Sequence, residues 1–259
     1  MRFAATLAIV SILCLTGCAA GSETRREAID RVLAEGLRKA QPTEVVAVDL
    51  AVARAAREDG QWAALRDYAA PAAVLHLPDG PVDADTYLRG RPEPAAASQW
   101  SPEAVWMSCD SRVAVSHGKY AEPDGTWGYY ATAWARQRDG GYRWTYMLRA
   151  PDTALTQRQK EGRKPVEEDG TIIVQAVPMI QGVTGDCLAG APRPQPPGTG
   201  VATGPDTEAV AAPDGTLVWE RTHSSDGRRR FSVLQADQGR LKEAFGLKVA
   251  ADGRVSVAK

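Results

Sequence analysis

Hydrophobic patterning changes character several times along the chain. Residues 4–15 (AATLAIVSILCL) are an uninterrupted apolar run behind the single charge of Arg2. Such a run suits the hydrophobic region of a leader peptide and falls short of the roughly 20 apolar residues that span a bilayer. From 23 to 40, Ile29, Val32, Leu33 and Leu37 recur at helical spacing with charge opposite, which predicts an amphipathic helix ended by Gln41-Pro42. A second helix, with Thr43 as its cap, carries Val45, Val46, Val48, Leu50 and Val52 up to Asp59-Gly60, and Trp62–Tyr68 predicts a short third. Pro71 marks the change to strand chemistry.

Ala72–Leu77 reads as a short strand closed by Pro78-Asp79-Gly80, and Asp83–Leu88 as one helical turn. Residues 90–102, rich in Pro, Ala and Ser, read as a loop. Arg112–Ala121, Thr126–Arg138 and Tyr142–Ala150 are three longer strands joined at Glu122-Pro123-Asp124-Gly125 and Asp139-Gly140-Gly141, both hairpin signals. Helices followed by strands predict an α+β fold, with helices packed on a curved antiparallel sheet. After Pro151, residues 152–168 are polar and helical or irregular, Ile172–Val177 is a candidate strand, and 182–207 is a Pro/Gly-rich linker. Leu217–Arg221, Arg230–Gln235, Leu247–Ala250 and Val255–Val257 then alternate with Asp-Gly turns as a small antiparallel β unit that needs a partner surface. The expected organisation is a leader (1–17), an anchored helical segment (18–42), a first domain (43–151), an extension and linker (152–207) and a β meander (208–259).

Candidate chemistry begins at the leader. Leu15-Thr16-Gly17-Cys18 directly follows the apolar run and resembles a bacterial lipobox. That resemblance implies lipid on Cys18, a membrane partner, and an envelope location facing the periplasm. Ala19 rather than Asp after the cysteine favours the outer membrane under the enterobacterial sorting rule. Loss of Arg2 with the leader moves the formal charge from −1 to −2, a balance that gives no reason to expect a nucleic-acid partner. With Cys14 in the leader and Cys18 lipidated, Cys109 and Cys187 remain as a candidate disulfide or as two independent thiols. No CxxC spacing or histidine cluster suggests a metal, and no phosphate loop, dinucleotide fingerprint, zinc-protease helix or GxSxG elbow suggests a cofactor. The triplet Arg228-Arg229-Arg230 reads as a solvated hairpin shoulder or a lipid-headgroup contact.

The runs EDGQWAALRDYAAPAAVLHLPDG, WSPEAVWMSCDSRVAVSHGKY and WGYYATAWARQRDGGYRWTYML resemble the nuclear-transport-factor-2-like superfamily, in particular its SnoaL-like branch. Trp134, Arg136-Gln137, Gly140-Gly141 and Trp144 match that branch's strand ending, and the resemblance spans about residues 43–150. It implies a cone, a curved sheet around a long helix with a pocket at the wide end, suited to a small apolar or amphipathic ligand. His76 falls where the ketosteroid isomerase branch carries its aspartate base, and a histidine there could exchange protons near neutral pH. The branch's helix tyrosine maps near Val52 or Ala53 and its paired aspartates onto Ala70 and Pro71, so no acid–base pair is assembled.

The candidate pocket residues are therefore His76, His117, Tyr130, Trp134 and Tyr146, with His117 expected to share a face with Val113 and Val115. Three functions follow: an envelope lipoprotein binding a small apolar ligand, an interaction module that homodimerises through its sheet, or a SnoaL-like isomerase, cyclase or hydrolase using His76. The departures from the isomerase pattern weigh against the enzyme.

Overall fold

Proline at the first helical position costs no hydrogen bond, because that N–H has no intrahelical partner. Helix α1 accordingly runs Pro42–Glu58, with Gln41 rather than Thr43 at its N-cap. The computed structural model describes residues 40–162, 179–187 and 206–258. The leader, Cys18, the 23–40 helix and the Ile172–Val177 strand lie outside the described residues. Val45, Asp49, Val52, Ala53 and Ala56 form the buried stripe of α1, at the spacing that lines one helix face. Gly60, at φ 113°, makes the turn into α2 (Gln61–Asp67).

The chain then enters a seven-stranded sheet. Its strands are β1 (Ala69–Leu77), β2 (Gly80–Asp83), β3 (Gln99–Met107), β4 (Val113–Ala121), β5 (Trp127–Arg136), β6 (Tyr142–Pro151) and β7 (Gln181–Thr184). Helix α3 (Ala84–Leu88) follows β2 and α4 (Thr153–Gly162) follows β6. The strand order β2-β1-β6-β5-β4-β3-β7 makes the sheet mixed rather than antiparallel, because β1 lies parallel to β6 and β7 parallel to β3. Four strands were not expected at all: β2, β3, β7 and β8 (Thr207–Ala211). β3 occupies part of the expected loop 90–102, and β7 begins where the linker was expected. Pro102 sits beside the register shift in β3, where a missing ladder donor is tolerated.

The C-terminal strands β8 (Thr207–Ala211), β9 (Leu217–His223), β10 (Arg229–Asp237), β11 (Arg240–Val249) and β12 (Val255–Ala258) form a five-stranded antiparallel meander in chain order. Their inward residues Leu217, Trp219, Phe231, Val233, Phe245 and Leu247 share one core with Trp106, Val113, Val115, Ala131, Tyr146 and Leu148 of the larger sheet. The meander is thus the partner layer of the first sheet, and residues Lys39–Lys259 form one compact unit. The opposite face packs on the helices through Val45, Val52, Leu65, Val105, Met107, Trp134, Trp144 and Met147.

Polar clamps reinforce the junction. Cys109 N–H donates to Thr216 Oγ1 (2.9 Å) and Asp110 N–H to Asp214 Oδ2 (2.7 Å), docking the β8–β9 turn onto the turn after β3. Gln235 Nε2 donates to Met107 O and Val183 O, both at 3.3 Å, joining β10 to β3 and β7. Cys109 and Cys187 lie at disulfide distance, with Cα atoms 5.3 Å apart and a sequence separation of 78. A loop of that length restricts the unfolded chain by about 4 kcal/mol in the chain-entropy model. Replacing both cysteines by serine is therefore expected to lower the unfolding free energy by about 4 kcal/mol in urea titrations. Unchanged stability in the double variant would contradict the pairing.

Candidate functional site

Strand alternation decides which candidates can meet. His76 on β1, His117 on β4 and Tyr146 on β6 point toward the C-terminal meander, whereas Tyr130 and Trp134 on β5 point toward the helices. The five residues expected to line one pocket are divided between two faces of one sheet. A bulge helps to divide them. Between Ala133 and Trp134 the register with β6 shifts, so Thr145 is an extra residue. Trp144 and Tyr146, two residues apart, therefore enter different cores.

On the meander side, His76 is 2 % exposed. Its Nδ1 lies 2.5 Å from the Tyr146 hydroxyl and its Nε2 lies 3.1 Å from Nδ1 of His223, at the end of β9. Arg229 Nη1 donates to the His76 carbonyl at 3.2 Å. Burial, followed by the charges of Arg229 and Arg221 and by His223, pushes His76 from 6.5 down to about 3. Burial likewise drives the Tyr146 phenol far up, so it keeps its proton. Both bonds of a neutral His76 are satisfied when protons run one way, from Tyr146 through His76 to His223 or in reverse. The result is a polar string pinning β1 and β6 to β9. Tyr146 also stacks on Trp219 and Phe231, each with centroids 5.2 Å away. His117 does share its face with Val113 and Val115. Its Nδ1 donates to Tyr130 O at 2.8 Å, and its ring packs 4.4 Å from that of Phe245.

On the helix side the organising group is Asp49, which the sequence reading did not single out. It is 2 % exposed on α1 and accepts from Trp100 Nε1 (2.9 Å), the Tyr130 hydroxyl (3.0 Å) and the Ser116 hydroxyl. Ser116 in turn accepts from Trp134 Nε1 at 2.9 Å. Desolvation outweighs these donors and raises the Asp49 carboxyl above its usual range. Burial, with Asp49 beside it, raises the Tyr130 phenol well above its own. The signal was present in VVAVDLAV, a lone acid within an apolar stretch.

Beside this cluster Leu65, Trp100, Tyr130, Thr132, Met147 and Arg149 bound a recess of about 10 Å³, room for about one water molecule. His76 does not line it. Trp100 and Tyr130 hold their positions through Asp49, and Arg149 is held near the rim by Glu122 (3.0 Å) and by stacking on Tyr120. Larger depressions are open to solvent. Two of them, about 840 and 630 Å³, flank the β5–β6 turn and share Asp139 and Arg143, and a third of about 640 Å³ lies on the meander. Among the described residues no group of three or more His, Cys, Asp or Glu side chains could hold a metal ion, and no helix is long and apolar enough to cross a membrane.

Two predictions follow from the two interiors. The folded-state pKa of His76 lies below its unfolded value, so the unfolded chain takes up the proton first. Stability present above pH 6.5 is therefore lost as pH falls toward about 3, at up to about 1.4 kcal/mol per pH unit. Urea unfolding of wild type and His76→Gln at several pH values should show a shallower decline in the variant, and parallel declines would contradict the assignment. Asp49→Leu strands the buried Tyr130 and Ser116 hydroxyls and the half-buried Trp100 Nε1, and is expected to lose about 3 kcal/mol. Wild-type stability of that variant would show that the cluster contributes nothing.

Compared with known families and proteins, the sequence matches no family model and no curated protein, so the functional reading rests on its own residues.

Proposed function

We propose that this is an envelope lipoprotein, tethered through Cys18 and facing the periplasm, that acts by surface contact rather than by chemistry or ligand storage in an enclosed pocket. One observation carries the reading: the recess between α2 and the sheet, bounded by Leu65, Trp100, Tyr130, Thr132, Met147 and Arg149, amounts to about 10 Å³, while a drug-sized ligand occupies a pocket of roughly 300 Å³ or more. The other face is covered by the meander, whose aromatic residues fill the intervening layer. The Cys109–Cys187 pair agrees with an oxidising compartment. Within this proposal the helices and larger sheet are a nuclear-transport-factor-2-like cone whose wide end has been filled by Trp100 and Tyr130. The isomerase-type reading loses its support, because a base at His76 would need substrate between the two sheets, where Tyr146 and His223 already engage both ring nitrogens.

The test is native mass spectrometry of the full chain extracted from its membrane in mild detergent. The expected mass is the acylated chain, alone or with a macromolecular partner. A stoichiometric small molecule that disappears in Thr132→Phe, which fills the recess, would overturn the proposal. A Cys18→Ser chain that stays in the membrane fraction after leader cleavage would overturn the tether.

A further inference from the structure

The outer face of the meander carries a charge arrangement that its own stability does not call for. Phe231 and Leu247 belong to the inter-sheet core, so their neighbours Arg230 and Lys248 point out. Register places Thr222 opposite Arg230, Arg230 opposite Lys248, and Lys248 opposite Ser256. One cross-strand row over β9, β10, β11 and β12 therefore reads hydroxyl, guanidinium, ammonium, hydroxyl. Like charges directly opposite on neighbouring strands destabilise a sheet, and departures of this kind concentrate at functional surfaces.

The row forms the floor of the open groove of about 640 Å³, where Arg228 and Arg254 join from the adjacent turns and no lining residue is acidic. The carboxylates near it stand outside. Asp226 holds Arg228 (2.7 Å), Glu243 holds Arg230 (2.8 Å) and Asp252 holds Arg254 (2.6 Å), all as exposed pairs. Exposed pairs hold weakly and exchange partners readily. Lys248 is exposed and has no ion-pair partner among the described residues.

We propose that this groove docks on anionic phospholipid headgroups, its guanidinium and ammonium groups taking the phosphates and the Thr222 and Ser256 hydroxyls donating to their oxygens. Charge complementarity carries the assignment, since arginine forks match phosphate oxygens and cations beside an anionic leaflet each add to attraction. The shape agrees, because the groove is open to solvent and presents several cationic contacts to a surface. The proposal deepens the surface-contact reading above by naming the partner. The tether would only raise the local concentration, since the twenty residues between Cys18 and Lys39 reach at most about 70 Å.

The test separates the groove from the tether. The mature chain carrying Cys18→Ser keeps the compact unit Lys39–Lys259, with both cores and the cysteine pair, and lacks only the lipid. Its co-sedimentation is measured with mixed phosphatidylglycerol–phosphatidylcholine vesicles and with pure phosphatidylcholine vesicles. Binding is expected to the mixed vesicles only, to weaken about tenfold in Lys248→Glu, and to fall steeply as salt shortens the screening length. Arg138→Glu changes net charge equally on the exposed β5–β6 turn and is expected to bind within about twofold of wild type, with near-ultraviolet circular dichroism confirming the fold of both variants. Equal binding to neutral vesicles, equal loss in Arg138→Glu, or saturation by inorganic phosphate with no vesicle binding would each overturn the assignment. If vesicles fail while the full chain is recovered with a protein partner, the lipid assignment falls and the surface-contact reading stands.

Discussion

The structure depends on burial of one sheet face against another. A seven-stranded sheet has two faces, and α1 with its short companions covers only one. The other carries Trp106, Val115, Ala131, Tyr146 and Leu148, a surface that water would oppose at about 25 cal/mol for each Å² left exposed. The meander supplies the cover with Trp219, Phe231, Val233, Phe245 and Leu247, and solves its own difficulty in doing so, since a hairpin array alone is marginal. Tyr146 sits at the crossing of these requirements: its ring stacks on Trp219 and Phe231, and its hydroxyl meets His76.

This constraint also sets what the molecule can offer a partner. Once the meander has closed one face and Asp49 has gathered Trp100, Tyr130 and Ser116 on the other, both interiors are occupied by the chain itself. Buried polar groups in the two layers serve opposite neighbours. Asp49 ties a helix to three strands, while His76 ties the larger sheet to the meander through His223 and to Arg229 through its backbone. Each is satisfied by hydrogen bonds within the protein and keeps little capacity for a ligand. The surfaces that remain available are the open depressions, and in the meander groove every charged lining residue is cationic.

Much of this was legible in the sequence wherever local chemistry specifies local structure. The apolar stripe of α1, the strands around His117 and Tyr130 with their Pro-Asp-Gly and Asp-Gly-Gly turns, the Asp-Gly turns of the meander and its need for a partner layer all follow from spacing. What was illegible depends on strand order and register. β3 was hidden because Ser101-Pro102 resembles a loop until the register shift there is known. Nothing local places β1 beside β6 or β7 beside β3. The period of two groups residues within a strand, as it did for His117, Val113 and Val115, but it does not say which face of another strand shares their core. For that reason His76 and Tyr130 were expected together and lie on opposite sides. His223, separated from His76 by 147 residues, could not be paired with it from sequence.

The central claim is that the two sheets form a single cooperative core, and native-state hydrogen exchange tests it most directly. The slowest amides of β4–β6 and of β9–β11 are expected to exchange through one global opening, with the same free energy and the same dependence on denaturant. Exchange of β9–β11 at a distinctly lower free energy, with β4–β6 still protected, would show the meander to be a separable appendage and contradict the account.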